Sequence, residues 1–123
     1  MKELRAGLVG CGLFGESHLS AMQAVPGVRV AAVFDTDSDR ATALATQYRV
    51  PAVAASLPEL LDVVDVVHVA TPEDRHRDPV IAALQARKHV LLEKPFATTL
   101  DDCNAMTEAA QSSGCVLMVG HLL

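Results

Sequence analysis

Gly10-Cys11-Gly12-Leu13-Phe14-Gly15 sets three glycines at the spacing at which a strand-to-helix turn can accept a diphosphate. The apolar run Ala6–Val9 stops in these glycines, and Glu16–Val25 then carries Leu19, Met22 and Val25 near helical spacing, so the loop has a strand before it and a helix after it. In that setting each glycine has a task. Gly10 permits the tight turn, Gly12 lets a phosphate approach the backbone with no Cβ in the way, and Gly15 lets the helix pack closely on the strand. The helix N-terminus adds unpaired amides and partial positive charge. Leu13 and Phe14 complete the loop and belong to the same ligand-contacting set.

Asp35 stands twenty residues beyond Gly15, at the end of the β-branched run Val28–Phe34, and Thr36 follows it. A carboxylate there can accept both hydroxyls of an adenosine ribose and would repel a 2′-phosphate. NAD is therefore expected over NADP, with Arg40 near enough in sequence to keep NADP open. Three other readings share these residues: a glycine turn that binds nothing, an aspartate that only opens a turn, and a site for S-adenosylmethionine.

The elements that would position this loop alternate along the chain. Ala41, Leu44, Ala45 and Tyr48 mark a second helix by their spacing. Pro51–Ala55 reads as a short third strand, and Ser56-Leu57-Pro58-Glu59 as a capping box opening a brief helix through Leu61. Val63–Ala70 is so apolar that it must be covered on both faces, which places it at the centre of a parallel sheet. Asp78-Pro79 offers an N-cap and a proline at N1 for a helix to Ala86. His89–Leu92 reads as strand five. Thr98 or Thr99 caps a helix with Leu100, Cys103, Met106 and Ala110 on its apolar side, Gly114 ends it, and Cys115–Val119 reads as strand six. The expected fold is α/β, a doubly wound parallel sheet of six strands in the order 3-2-1-4-5-6, in one domain spanning residues 1–123.

Composition narrows the function classes. Half of the 123 residues are hydrophobic, but there is no Trp and there are only three Phe and one Tyr, so Val, Leu and Ala must build the core. The net charge is −5 and the ten basic residues are scattered among acids, which argues against nucleic acid as a partner. Three cysteines, an odd number, do not make a disulfide framework, and the chain reads as cytosolic, with no membrane-spanning run and no targeting segment. His18, His76 and His121 lack metal-ligand spacing, so no metal is expected. His68, inside the apolar central strand, reads as a hydrogen-bonded core residue.

Taken in order, the glycine loop with His18 in the following helix, Pro26-Gly27, Asp35, Thr71-Pro72 with His76 four residues past the proline, and His89-Val90-Leu91-Leu92-Glu93-Lys94-Pro95 resemble the glucose–fructose oxidoreductase/inositol dehydrogenase family, often written Gfo/Idh/MocA. The resemblance covers essentially the whole chain. It implies a Rossmann domain in which Ala70, Thr71 and Pro72 form the turn beneath the nicotinamide-side ribose and phosphate, and His76 faces the same crevice. It also implies that Glu93 hydrogen-bonds that ribose and that Lys94 bridges the ribose and the reacting substrate oxygen. A lysine suits this role because its ammonium is a movable point charge that can stabilise a developing alkoxide. A cis Lys94-Pro95 bond is compatible with the motif.

The implied reaction is hydride transfer between the nicotinamide dinucleotide and a hydroxyl-bearing carbon of a sugar, inositol or related polyol. The family's second domain, which binds substrate, is absent from this chain, so these residues alone are expected to be inactive. A non-catalytic sensor or regulatory subunit on the same fold is the second reading. Apolar surface at the crevice and strand six leads to an expectation of homo-oligomers. Two positions depart from the family pattern: Arg49 and Arg87 stand after helices where glycine is usual.

Overall fold

In the computed structural model, which describes residues 3–94 and 96–120, the glycine loop does join a strand to a helix. Strand β1 (Leu4–Val9) leads through Gly10–Gly12 into α1 (Leu13–Gln23), and β2 (Val28–Phe34) into α2 (Ser38–Tyr48). A short α3 (Leu57–Leu61) precedes β3 (Val66–Val69), and a 3-10 turn (Glu73–Arg75) precedes α4 (Arg77–Gln85). The chain continues through β4 (His89–Glu93), α5 (Leu100–Ser113) and β5 (Leu117–Gly120). The sheet is wholly parallel in the order β2-β1-β3-β4-β5, with the apolar β3 at its centre. No helix among the described residues is long and apolar enough to cross a membrane.

Among the described residues the sheet has five strands rather than the six expected. The proposed third strand, Pro51–Ala55, is reduced to a single bridge between Val33 and Val53, with Val33 N donating to Ala52 O and Ala54 N to Val33 O. Pro51 has no amide hydrogen to extend that ladder, and within a few residues the chain must turn to place Ser56 as the cap of α3. The Ser56 hydroxyl accepts from Glu59 N, but the Glu59 carboxylate reaches Ala55 N and not the cap's own amide, so the capping box closes one residue early.

Several boundaries also differ. Val63 and Val64 lie in the turn before β3, and Val25 lies beyond the end of α1. Helix α4 begins at Arg77, ahead of Asp78 and Pro79, because the 3-10 turn feeds directly into it. Thr99, not Thr98, caps α5 by accepting from Asp102 N, while Leu100 is 74% exposed and is no part of that helix's buried side.

Side-chain alternation divides the core between the two faces. Val67 and Val69 of β3 and Val90 and Leu92 of β4 pack with Leu60, Val80, Leu84 and Met106 under α3, α4 and α5. Leu8, Val30 and Val33 face α1 and α2, against Leu19, Ala41 and Leu44. His68 and Glu93 fall between these apolar positions on β3 and β4, so they are sent to the α1 side.

Arg49 (φ 58°) and Arg87 (φ 61°) both take the left-handed conformation that glycine adopts freely. The helix ends keep their glycine-type closure: Val50 N donates to Ala45 O and Lys88 N to Ala83 O. Arg49→Gly is therefore expected to stabilise the fold by roughly 0.5–1 kcal/mol, the relief of left-handed strain less the added freedom of the unfolded chain. A urea midpoint that does not rise at constant slope would refute this.

Candidate dinucleotide site

Two adjoining hollows at the carboxyl ends of the strands share Phe14, Ala70, Thr71 and Pro72. The first, about 300 Å³, runs from Asp35, Thr36 and Arg40 across Gly10, Gly12 and Leu13 to Thr71 and Pro72. The second continues past His76 to Glu93 and Lys94. Together they bring every sequence-selected position except Gly15 to one cleft, placed where the chain reverses its direction across the sheet between β1 and β3.

The three glycines serve different neighbours. A Cβ on Gly10, which has φ +98°, would lie 2.7 Å from the carbonyl of Ala70, so this glycine lets β1 and β3 end side by side. A Cβ on Gly15 would lie 2.0 Å from Gly10 O; the buried Gly15 supports the loop from beneath and does not line the cleft. Gly12 has ordinary extended backbone (φ −80°, ψ −164°), and its Cβ would meet only the Arg40 guanidinium, at 4.0 Å. Nothing among the described residues requires a glycine there. The space it leaves lies directly before α1, whose N-terminus, like that of α4 behind its 3-10 turn, has no side-chain cap, whereas α2, α3 and α5 are capped by Asp37, Ser56 and Thr99. Open amides, an absent Cβ and the nearby Arg40 are what a diphosphate needs.

Asp35 shapes the other end of the loop. One carboxylate oxygen accepts from Cys11 N at 2.8 Å and the other from Asp37 N at 2.8 Å. Each oxygen keeps a further lone pair, so both can still receive a ribose hydroxyl. The Cys11 thiol is buried, and that burial, with the Asp35 charge beside it, pushes its pKa up to about 12. It remains protonated and inert, a small residue that fits under the loop.

At the second hollow, the Thr71 hydroxyl donates to Arg75 O at 3.2 Å and so closes the turn. His76 is buried with Nε2 3.1 Å from Thr71 O and Nδ1 3.3 Å from Phe96 O. It lines the cleft while both nitrogens face carbonyl oxygens, tying the Thr71 turn to the segment after β4. Lys94 is exposed at the mouth of the cleft and Glu93 is buried beside it. The Lys94-Pro95 bond and His121 fall outside the described residues.

Sequence reasoning missed two things. Arg75 lines the first hollow beside Arg40, a second cation in an acidic chain, and nothing in its spacing marks it. His18, His68 and Glu93 converge: His18 Nε2 rests against Glu93 Oε2, and His68 Nε2 lies 3.9 Å from the same oxygen. The expectation that His68 would be hydrogen-bonded is overturned, since neither of its nitrogens has a hydrogen-bond partner among the described residues. Burial, reinforced by His18, lowers its pKa to about 4.

Residues 4–121 match the oxidoreductase family with an NAD-binding Rossmann fold. The chain belongs to that family. Among its relatives, 4-carboxy-2-hydroxymuconate-6-semialdehyde dehydrogenase of Sphingobium sp. is 35% identical over 96% of this chain and 38% of its own length. Inositol 2-dehydrogenase of Salmonella agona is 38% identical over 90% of this chain and 34% of its own length.

Of the solved structures, UDP-N-acetylglucosamine 3-dehydrogenase from Acidithiobacillus ferrooxidans superposes with a TM-score of 0.90 at 35% identity, covering 98% of this chain and 39% of that one. GenD2 from gentamicin A biosynthesis, in complex with NAD, superposes with a TM-score of 0.90 at 33% identity, over 98% and 35% respectively. The chain thus spans little more than a third of the length of these relatives. Family membership also removes S-adenosylmethionine as the reading of the glycine loop.

Proposed function

We propose that this chain is the cofactor-holding part of an NAD-dependent dehydrogenase that moves hydride between the nicotinamide and a hydroxyl-bearing carbon of a sugar, inositol or related polyol. The observation that carries the proposal is the continuity of the cleft, from the uncapped α1 and open Gly12 at one end to Glu93 and Lys94 at the other.

Gly12 and the first amides of α1 receive the diphosphate, flanked by the guanidinium of Arg40, while Asp35 accepts from the adenosine ribose. The turn Ala70-Thr71-Pro72 supports the nicotinamide half, and Glu93 accepts from its ribose. The bound nicotinamide supplies the hydride donor or acceptor. Lys94, exposed at the cleft mouth, is placed to donate to the substrate oxygen as charge develops there. Substrate is held by a second domain beyond the residues described. The reaction runs in the cytosol, and the protein works as a homo-oligomer, a reading supported by the exposed Leu13, Phe14, Val116 and Met118.

Calorimetric titration of this chain with NADH, NADPH and S-adenosylmethionine tests the binding step. NADH is expected to bind about tenfold or more tighter than NADPH, and Asp35→Ser to narrow that gap. Binding of S-adenosylmethionine without NADH would refute the assignment. For the full-length protein, NAD reduction on addition of inositols and sugars is the expected result, and NADH binding with no turnover of any of them would favour the sensor. Sedimentation at high concentration should show species larger than the monomer.

A further inference from the structure

His18, His68 and Glu93 come from three elements, yet their polar ends meet at one buried point. Helical spacing puts His18 on the same side of α1 as Gly15, Leu19 and Met22, the side that faces the sheet. Strand alternation sends His68 and Glu93 up to meet it from the neighbouring strands β3 and β4. Four side-chain atoms there, His18 Nε2, both nitrogens of His68 and Glu93 Oε2, are sealed from solvent, and among the described residues none of them has a hydrogen-bond partner outside the cluster. Burying such atoms is destabilising, so an apolar trio would serve the fold better. Their convergence calls for a reason other than stability.

The local geometry indicates one. The rings of His18 and His68 are 4.1 Å apart between centroids and tilted by 34°, so His68 fixes the plane in which His18 approaches the carboxylate. Oε2 is the Glu93 oxygen sealed against His18, while the residue also lines the hollow. Lys94, the next residue, lines the same hollow. Helix α1 therefore bears on the cleft twice: its N-terminus faces the diphosphate position, and His18, about one and a half turns further on, holds the carboxylate at the far end.

We propose that His18 is the positioning residue for Glu93, gripping Oε2 against the stacked His68 so that Oε1 and the adjoining Lys94 are held toward the nicotinamide-side ribose. This rests on the dinucleotide reading and extends it, because it ties the geometry of the nicotinamide end to the helix that binds the diphosphate. A metal ion is the competing occupant, since the three candidate ligand atoms lie within 4.8 Å of one another.

The test is calorimetric binding of NADH and of ADP, which lacks the nicotinamide half, to wild type, His18→Ala, His18→Gln, Glu93→Gln and the His18→Ala/Glu93→Gln double variant. ADP affinity is expected to stay within about twofold throughout, which also shows that the variants fold. NADH should bind His18→Ala about tenfold more weakly, and His18→Gln, which keeps an N–H at similar reach, should recover most of the loss. In the Glu93→Gln background, His18→Ala should have no further effect.

Wild-type affinity for NADH in His18→Ala would overturn the proposal. So would an equal loss of ADP and NADH binding, or the same NADH loss in both Glu93 backgrounds. One-to-one uptake of Zn2+ by wild type that His18→Ala abolishes would assign the cluster to a metal instead. If wild type binds neither NADH nor ADP, the dinucleotide reading itself fails and this inference falls with it.

Discussion

Gly12→Val is expected to leave the fold intact and to weaken NADH binding on the order of 100-fold or more, equivalent to about 3 kcal/mol. Gly12 sits at φ −80°, which any residue adopts, and a side chain there points into space bounded only by the movable Arg40 guanidinium. That space is where the diphosphate must come to reach the open amides of α1. Branched carbons would hold it off and shield the amides at once.

Gly15→Ala should behave in the opposite way. Its methyl would stand 2.0 Å from Gly10 O, a backbone atom that can retreat only if α1 lifts from β1, so a loss of more than about 3 kcal/mol of folding stability is expected. Urea unfolding followed by NADH titration of each variant separates the two effects. A Gly12→Val protein that binds NADH like wild type would show that the diphosphate lies elsewhere, and a Gly15→Ala protein of undiminished stability would show that α1 does not rest on the loop.

The second large effect is on acid stability. His68 titrates near 6.5 when unfolded and at about 4 when folded, chiefly because burial disfavours the imidazolium and secondarily because His18 is beside it. Below about pH 6.5 the unfolded chain takes up a proton at this residue that the folded chain refuses until about pH 4. Stability should therefore fall as pH drops through that window, by about 3 kcal/mol in all, and should show no further loss from this residue below it. Carboxylates titrate in the lower part of the same range, so the comparison is with His68→Leu, in which the residue's share of the slope disappears. Urea unfolding between pH 7 and pH 4 measures the difference. Parallel curves for wild type and His68→Leu would mean that the imidazole is not held neutral.

The cleft residues were legible because their chemistry is carried by backbone form and local order. A phosphate loop needs missing side chains at fixed intervals between a strand and a helix, and Gly10, Gly12 and Gly15 show that interval directly. Asp35 is readable for a similar reason, as the first polar residue after an apolar strand. Boundaries were less legible where one local signal competed with another. Pro51–Ala55 has strand-like composition, but the proline and the Ser56 cap leave it one bridge, and Asp78-Pro79 resembles a helix start only until the preceding 3-10 turn takes over that role.

Sequence alone therefore determined the parallel α/β plan, the glycine loop and the positions that converge on one cleft, because periodicity and turn chemistry act over a few residues at a time. It also separated the three glycines by position. Only the tertiary structure separated them by cause: Gly10 and Gly15 answer to backbone atoms already in the protein, whereas a Cβ at Gly12 would meet only the Arg40 guanidinium among the described residues. The structure likewise decided that His18, His68 and Glu93 meet, since fifty and twenty-five residues separate them along the chain and no local rule connects a helix face to two strand faces. Such contacts depend on which face of the sheet each helix covers, a property of the whole chain's path and not of any segment.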